Sequence, residues 1–425
     1  MKYFTLLLLS SLFSTISIGQ FNNATSPCAV EEILAYEIEN YPNTLENRAE
    51  IEAFTKNFVK QLQLNRAKGK SHDSTAQFII PVVLHVFHNG DDGFIDMEQA
   101  QSGLDVLNRD MQGLNADWGD VDPAFEGVKA KLDIQFCLAS IDPDGNPTTG
   151  VNYYDDSLSM LNEVDLFGHA WENTKYLNFY LPKYVFGEPS LFTAYSFYPS
   201  DWRVGANKDG VFYSSIRWGY GSHSELEDEQ EWASVITHEV GHWLNLAHTF
   251  DNGCAGSGDN VSDTPKTNGG TIEVSGCDNN DYSCGVHSNG ENYMDYNHDC
   301  KKMFTQGQVD RMSAALNLTA RNHLWSHSNL FETGCSLIDP TGIAEQALNN
   351  FTLVYPNPAS NMLHFEFSNG AKKIEIYSLQ GVRLFVSDIS SNKLDLKVEN
   401  FNGGIYLYKI SYANGTTNGK FTIEN

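Results

Sequence analysis

The sequence predicts an α+β unit followed by a small all-β sandwich, and three observations carry this. Stretches with strand and helix spacing alternate early, and helices dominate later. After Cys335 the chain becomes a series of short apolar runs parted by turn residues. The charge changes there too. Residues 71–339 hold 13 of the 27 Lys+Arg and 40 of the 54 Asp+Glu, whereas residues 340–425 hold seven of each. All seven cysteines precede residue 340.

Element by element, Met1–Gly19 has a lysine, a leucine-rich run and small residues at Ser17 and Gly19. This is the pattern of a Sec-type signal peptide cleaved before Gln20. The apolar stretch is too short and serine-broken for a membrane anchor, and no later stretch reaches 18 apolar residues, so the mature protein is expected to lack a membrane span. Residues 28–65 read as amphipathic helix and end in a basic patch, Arg66–Lys70. Phe78–Phe87 is a buried strand, Ile95–Leu114 has helical spacing, and Lys131–Ala139 alternates like a strand. Tyr176–Leu181 and Val211–Ile216 are further strands. Glu225–Leu246 is a helix with an acidic start, as the helix dipole favours. Residues 251–292 form a loop rich in Gly, Asp, Asn, Ser and Cys, and Thr305–Leu318 is a second helix. In the last segment Phe351–Phe367, Lys373–Ser378, Arg383–Val386, Lys393–Val398, Ile405–Tyr412 and Gly419–Ile423 read as strands.

The net charge of −27 argues against a nucleic-acid partner or an anionic membrane surface, since either needs a basic face. At 41% hydrophobic and 12% aromatic the chain can bury a core. Export permits disulfides, and an odd number of cysteines leaves one unpaired or otherwise employed.

The most informative stretch is His238-Glu239-Val240-Gly241-His242-Trp243-Leu244-Asn245-Leu246-Ala247-His248. His238 and His242 are four apart on a helix and can hold one zinc, with Glu239 in reach of a metal-bound water. His248 supplies a third nitrogen if the helix ends near Asn245 and the chain turns back. Three protein ligands leave a position open, the catalytic rather than the structural pattern. Zinc lowers the pKa of the water towards ~7 and Glu239 takes its proton. The stretch resembles the metzincin pattern HExxHxxGxxH, which implies a left-handed backbone where Asn245 replaces the glycine, and asparagine is the non-glycine residue that tolerates it best. His85 and His88 read as core or edge histidines, and the run Glu225–Glu231 as a solvated helix start.

This stretch, with NVSDTP (Asn260–Pro265), NYMDY (Asn292–Tyr296) and FTQGQ (Phe304–Gln308), resembles the pappalysin-type metzincins, the ulilysin/cytophagalysin group, over roughly residues 75–336. The resemblance implies a two-lobed metzincin catalytic domain and a zinc-dependent endopeptidase acting on proteins or peptides. It makes Met294 the Met-turn residue beneath the histidines. Tyr296 would help hold the zinc water or stabilise the oxyanion. It implies structural calcium at Asp259, Val261 (through its carbonyl), Asp263 and Thr264, oxygen donors of the kind calcium takes. It also implies disulfides Cys254–Cys284 and Cys277–Cys300, with Cys137–Cys335 as a third. Cys28 is left as a latency residue whose thiolate blocks the zinc, the rival readings being a disulfide or an unpaired thiol. A preference for Arg or Lys after the scissile bond is implied, with Asp299 as the specificity residue and cleavage before Arg66 as the activating cut.

Val354-Tyr355-Pro356-Asn357-Pro358, Ile374–Gly381 and Gly404–Ile410 followed by Gly419-Lys420 resemble the type A C-terminal sorting domain of type IX secretion. That implies a partner in the secretion machinery, passage through the outer membrane, and a secreted or cell-surface location. The expected organisation is therefore a signal peptide at 1–19, a propeptide at 20–66, a metzincin domain at 67–336, a linker at 337–350 and the β-sandwich at 351–425. Two other classes compete: a surface adhesin that keeps the zinc fold without catalysis, and a zinc hydrolase of a non-peptide bond. Glu239 speaks against the first, and the third histidine with the Met-turn against the second.

Overall fold

The computed structural model describes residues 28–69, 78–155, 166–185, 193–225, 233–268, 282–297 and 300–337. Of the C-terminal segment it describes 352–355, 359, 361–367, 370–378, 382–391, 393–398, 401–412 and 415–423. The signal peptide, most of the acidic run after Glu225, Cys277 and Asp299 lie outside the described residues. The chain divides into two compact units, Met1–Leu138 with Thr148–Trp325, and Ala139–Pro147 with Ser326–Asn425.

The first unit is built on β1 (Phe78–His88), β2 (Ile134–Leu138), β3 (Val151–Asp155), β4 (Leu177–Leu181), β5 (Ala194–Ser196) and β6 (Val211–Tyr213). The spatial order is β2-β1-β4-β6-β5, with β3 also paired to β1. The first half of β1 pairs with β2 and its second half with β3, both parallel. Only β5 runs antiparallel, at the edge beside β6. Because side chains alternate along a strand, Ile80, Val82, Leu84 and Val86 of β1 face one side, with Leu177, Phe179 and Leu181 of β4. Three helices cover that side: α3 (Met97–Met111), α4 (Val235–Trp243) and α5 (Gln306–Leu316). Leu104, Leu107, Val240, Trp243, Met312 and Leu316 complete this core. The opposite face carries Phe87, Tyr180, Phe212, Tyr195 and Phe197 in a ring-stacked layer. His85 lies in that layer, bonded through Nε2 to Asn178 Oδ1 at 2.8 Å, the satisfied core histidine expected.

Two further helices precede β1: α1 (Val30–Asn40) and α2 (Thr44–Ala67). They break at Tyr41-Pro42-Asn43, where proline offers no amide to continue the ladder. α2 buries only Thr44, Thr55 and Leu62 among its 24 residues, so little apolar burial holds it down. Polar contacts supply the rest. Arg66 forks onto Asp310 at 2.5 and 2.6 Å, Arg311 onto Glu52 at 2.8 and 3.2 Å, and Arg48 donates to Asn245 Oδ1 at 2.8 Å. α1 is tied by a buried ion pair between Glu37 and Arg203.

The second unit contains the expected sandwich. One sheet is β7 (Thr352–Tyr355), β8 (Met362–Phe367) and β11 (Lys393–Lys397). The other is β10 (Arg383–Asp388), β9 (Ala371–Ser378), β12 (Gly404–Tyr412) and β13 (Gly415–Ile423). All pairings are antiparallel. Leu363, Phe365, Ile374, Ile376, Ile410 and Phe421 fill the space between the inner faces. Among the described residues, no helix is long and apolar enough to cross a membrane.

Candidate metal centre

All nine residues of α4 are buried. Its apolar residues seat it on the sheet, and the Ser196 hydroxyl, from edge strand β5, donates to the Glu239 carbonyl at 2.7 Å. The helix ends where the third histidine requires. Leu246 N donates to Gly241 O at 2.9 Å, and Asn245 has φ +69°, the left-handed conformation that closes a helix. The Asn245 side chain is itself employed. Its oxygen accepts from Arg48 and its amide donates to Thr55 Oγ1 at 3.3 Å, both residues of α2.

The turn brings His248 back to the helix. His242 Nε2 lies 3.1 Å from both His238 Nε2 and His248 Nε2. His238 Nδ1 bonds to Tyr293 O at 2.7 Å and His242 Nδ1 to Leu246 O at 2.8 Å. Carbonyl oxygens only accept, so both Nδ1 atoms carry the proton and both Nε2 atoms present lone pairs. Two buried acceptors 3.1 Å apart are not hydrogen-bonded; they need a cation. A tetrahedral zinc with Zn–N near 2.05 Å would separate its ligands by roughly 3.3 Å, so the nitrogens fit one ion. Burial, with cationic neighbours, keeps His238 and His242 well below the usual histidine range and so neutral. Burial also pulls His248 down, but the Asp251 and Glu31 carboxylates at its Nδ1 outweigh it and leave it raised.

Glu239 lies fully buried beside the histidines, its carboxylate facing the Cys28 thiol. Burial pushes its pKa up to about 8. Tyr296 is nearly buried, its ring 4.7 Å from that of His248 and 5.8 Å from that of His238. Its hydroxyl lies 3.5 Å from the Cys28 carbonyl oxygen. The Cys28 side chain completes the constellation: Sγ and one nitrogen of each of the three histidines all lie within 4.8 Å of one another. Burial, then the Glu239 charge, raises this thiol well above its usual range. Ala29 N donates to Ala194 O at 3.2 Å, which fixes the segment against the end of β5.

Met294 lies fully buried under the histidines. A Cβ at Gly241 would stand 2.4 Å from its sulfur, so the glycine of HEVGH is set by the approach of this turn. The other sequence signatures are wired to the same turn. Asn292 and Gln308 exchange side-chain hydrogen bonds at 2.8 and 2.9 Å, and Asn292 Oδ1 accepts from Met294 N. Gln308 also forms a capping box with Thr305 at the start of α5. Asp263 accepts from Thr305 Oγ1 and Gly307 N, which commits it to the helix start. Asp259, Val261 and Thr264 are brought together through Thr264 Oγ1, at 2.7 Å from Asp259 Oδ1 and 2.9 Å from Val261 O. Burial pushes Asp259 up to about 7. The Cys254–Cys284 disulfide is formed, and Cys137, Cys300 and Cys335 are each disulfide-bonded.

The comparisons with known proteins agree with this geometry. Residues 160–317 match the family model of peptidase M43, pregnancy-associated plasma protein-A, and residues 353–424 that of the secretion system C-terminal sorting domain. The mature mirolysin of Tannerella forsythia, solved in complex with a cleaved peptide, is 30% identical with a TM-score of 0.53. The match covers 61% of this chain and 98% of that one. The chain belongs to the M43 peptidase family. A promirolysin mutant of the same organism superposes with a TM-score of 0.58 at 27% identity, over 71% of this chain and 98% of that one. Among curated relatives, extracellular metalloprotease 1 of Coccidioides posadasii is 41% identical over 28% of this chain and 43% of its own length. An extracellular metalloprotease of Podospora anserina is 33% identical over 45% of this chain and 62% of its length. The chain thus spans less than two thirds of these two curated relatives. Both relatives are named as metalloproteases, and the last segment of this chain matches the secretion system C-terminal sorting domain.

Sequence reasoning missed Arg48, Glu52, Arg311, Ser196 and Lys301. No local signal marks them, because each acts through a partner distant in the chain or through the main chain.

Proposed function

We propose that this M43 peptidase is a secreted zinc endopeptidase made as a latent precursor. The contact of two lone-pair nitrogens, His238 Nε2 and His242 Nε2, beside the buried Glu239 carboxylate carries the reading. His238, His242 and His248 would hold Zn2+. When bound, the ion supplies Lewis acidity to a peptide carbonyl and to a water. Glu239 serves as general base: burial raises its proton affinity, so it can take the proton from the attacking water and pass it to the leaving amine. Tyr296 is suited to donate to the carbonyl oxygen under attack, as its hydroxyl already approaches the Cys28 carbonyl. Met294 is the apolar floor.

Latency is assigned to Cys28. Its sulfur would take the fourth ligand position, where a metal favours the thiolate. Release then requires α1 and α2 to lift. The bond before Arg66 lies in the last turn of α2, with the Arg66 guanidinium held by Asp310, so cutting there requires local unwinding first. A preference for Arg or Lys after the scissile bond, with Asp299 as its determinant, belongs to the same proposal. So does calcium at Asp259, Val261 and Thr264, with Asp263 as a further donor once released from α5. We also assign to it the Sec signal, type IX passage of the outer membrane, the domain limits given above, and the Cys277–Cys300 and Cys137–Cys335 pairings.

The test is digestion of casein by the purified, activated protein, with and without a chelator and with Glu239→Ala. Loss of cleavage under both conditions, restored by zinc in the first, is the expected result. Cleavage that survives Glu239→Ala would sink the mechanism.

A further inference from the structure

Lys301 is buried, with 1% of its surface exposed, and the chemistry assigned above makes no use of it. Its ammonium donates to Tyr293 O at 2.8 Å and to Asp295 O. These are the two main-chain carbonyls that flank Met294. The first is also the oxygen that accepts from His238 Nδ1 at 2.7 Å. One carbonyl therefore serves a metal-site imidazole and a buried cation together.

We infer that Lys301 is a positioning residue of the metal centre, bracing the turn at Met294 from within and fixing the His238 imidazole through the shared Tyr293 carbonyl. The inference rests on the reading of the three histidines as zinc ligands. Desolvating an ammonium is costly, and an unbranched apolar side chain of similar length would fill the space more cheaply. The gain lies in what the ammonium holds. Without it, the 293 and 295 carbonyls lose their shared donor; the bonds to the amides of 293, 294 and 295 remain, so the loosening falls on the carbonyl that His238 uses. His238 is the histidine most exposed to such loosening, because His242 is anchored within its own turn at Leu246 O. Groups that orient a ligand histidine typically change metal affinity by ~10–100-fold when removed.

The charge acts in the opposite direction. A cation beside the histidines disfavours a second cation, so deleting the charge alone would tighten metal binding. The two effects have opposite signs, which makes the inference decidable.

The experiment follows zinc release from the full-length, zinc-loaded precursor into excess dipicolinate, for the native chain, Lys301→Met and Lys301→Gln. Urea unfolding of the metal-free forms runs alongside. Methionine keeps the length and removes the donors; glutamine keeps a neutral donor. Release from Lys301→Met should be faster by ~10-fold or more, with Lys301→Gln between it and the native chain. Unchanged or slower release from Lys301→Met overturns the inference, whatever happens to the urea midpoint. A lowered midpoint with unchanged release assigns Lys301 to folding alone. If Lys301→Met does not fold, Lys301→Gln decides by the same criterion. A native chain that takes up no zinc defeats the histidine reading instead.

Discussion

Arg48→Met should open the precursor without touching a metal ligand. Arg48 donates a charged hydrogen bond to Asn245 Oδ1 at 2.8 Å, and its guanidinium stands 4.0 Å above the Tyr198 ring. A hydrogen bond from a charged donor contributes about 1.5–3 kcal/mol and a cation–π contact about 1 kcal/mol. Burying the guanidinium offsets part of this, so the net loss is about 2 kcal/mol. At 1.4 kcal/mol per decade, the lifted fraction then rises about 30-fold. Cys28 reports this directly: it is 1% exposed, is not in a disulfide, and becomes reachable when the segment lifts. The assay is the rate of iodoacetamide labelling of Cys28 in a Glu239→Ala background, which prevents self-cleavage. The labelling rate should rise about 30-fold while the urea midpoint of the first unit changes little. A rate within about twofold of the unmutated precursor would refute the reasoning, because α2 would then not control access to Cys28.

Cys28→Ala should yield a precursor that activates itself earlier, read as the time to half-conversion on a gel; unchanged latency dismisses the thiol's role. Gly241→Ala puts a methyl 2.4 Å from the Met294 sulfur and should cost about 1–3 kcal/mol in urea unfolding, with little effect expected only if the turn shifts freely. Asp110 is buried with its carboxylate bound to Thr237 at 2.6 Å, and burial pushes it up to about 7. The folded state thus holds this proton more tightly than the unfolded one, so stability is fullest below the ordinary carboxylate pKa and falls as pH rises towards 7. Asp110→Asn removes that loss, so its advantage over the native chain should grow by about 2–3 kcal/mol between pH 5 and pH 8. A pH-independent difference in urea unfolding would contradict the sign.

The cluster of the three histidines proposed as ligands was legible because their spacing is local: α4 and the turn at Asn245 set the geometry within eleven residues. The long apolar run of β1 and the aromatic-rich Leu177–Leu181 of β4 were legible in the same way. β5 was not: it is as short as β6 but reads Ala-Tyr-Ser, without the apolar Val211-Phe212-Tyr213 run that marked β6, although it adjoins Cys28. The residues 28–65 read as helical, but what α2 touches could not be read. Arg48 and Asn245 are 197 positions apart, and Arg311 and Glu52 259 apart, and no periodicity encodes such pairs. Asn245 showed the limit from both sides. Its backbone role followed from tolerance of a left-handed turn, while its side-chain role depended on a partner helix.

The outer hydrogen bonds of the three histidines differ in kind. His238 and His242 lean on main-chain carbonyls, which every residue type supplies, so substitutions at Tyr293 or Leu246 need not disturb their tautomers. His248 leans on the carboxylates of Glu31 and Asp251, each one nucleotide change from loss. Glu31, moreover, leaves with the propeptide in the proposed scheme. The genetic fragility of this centre is therefore concentrated at its third histidine, and there Asp251 alone is left to carry it after maturation.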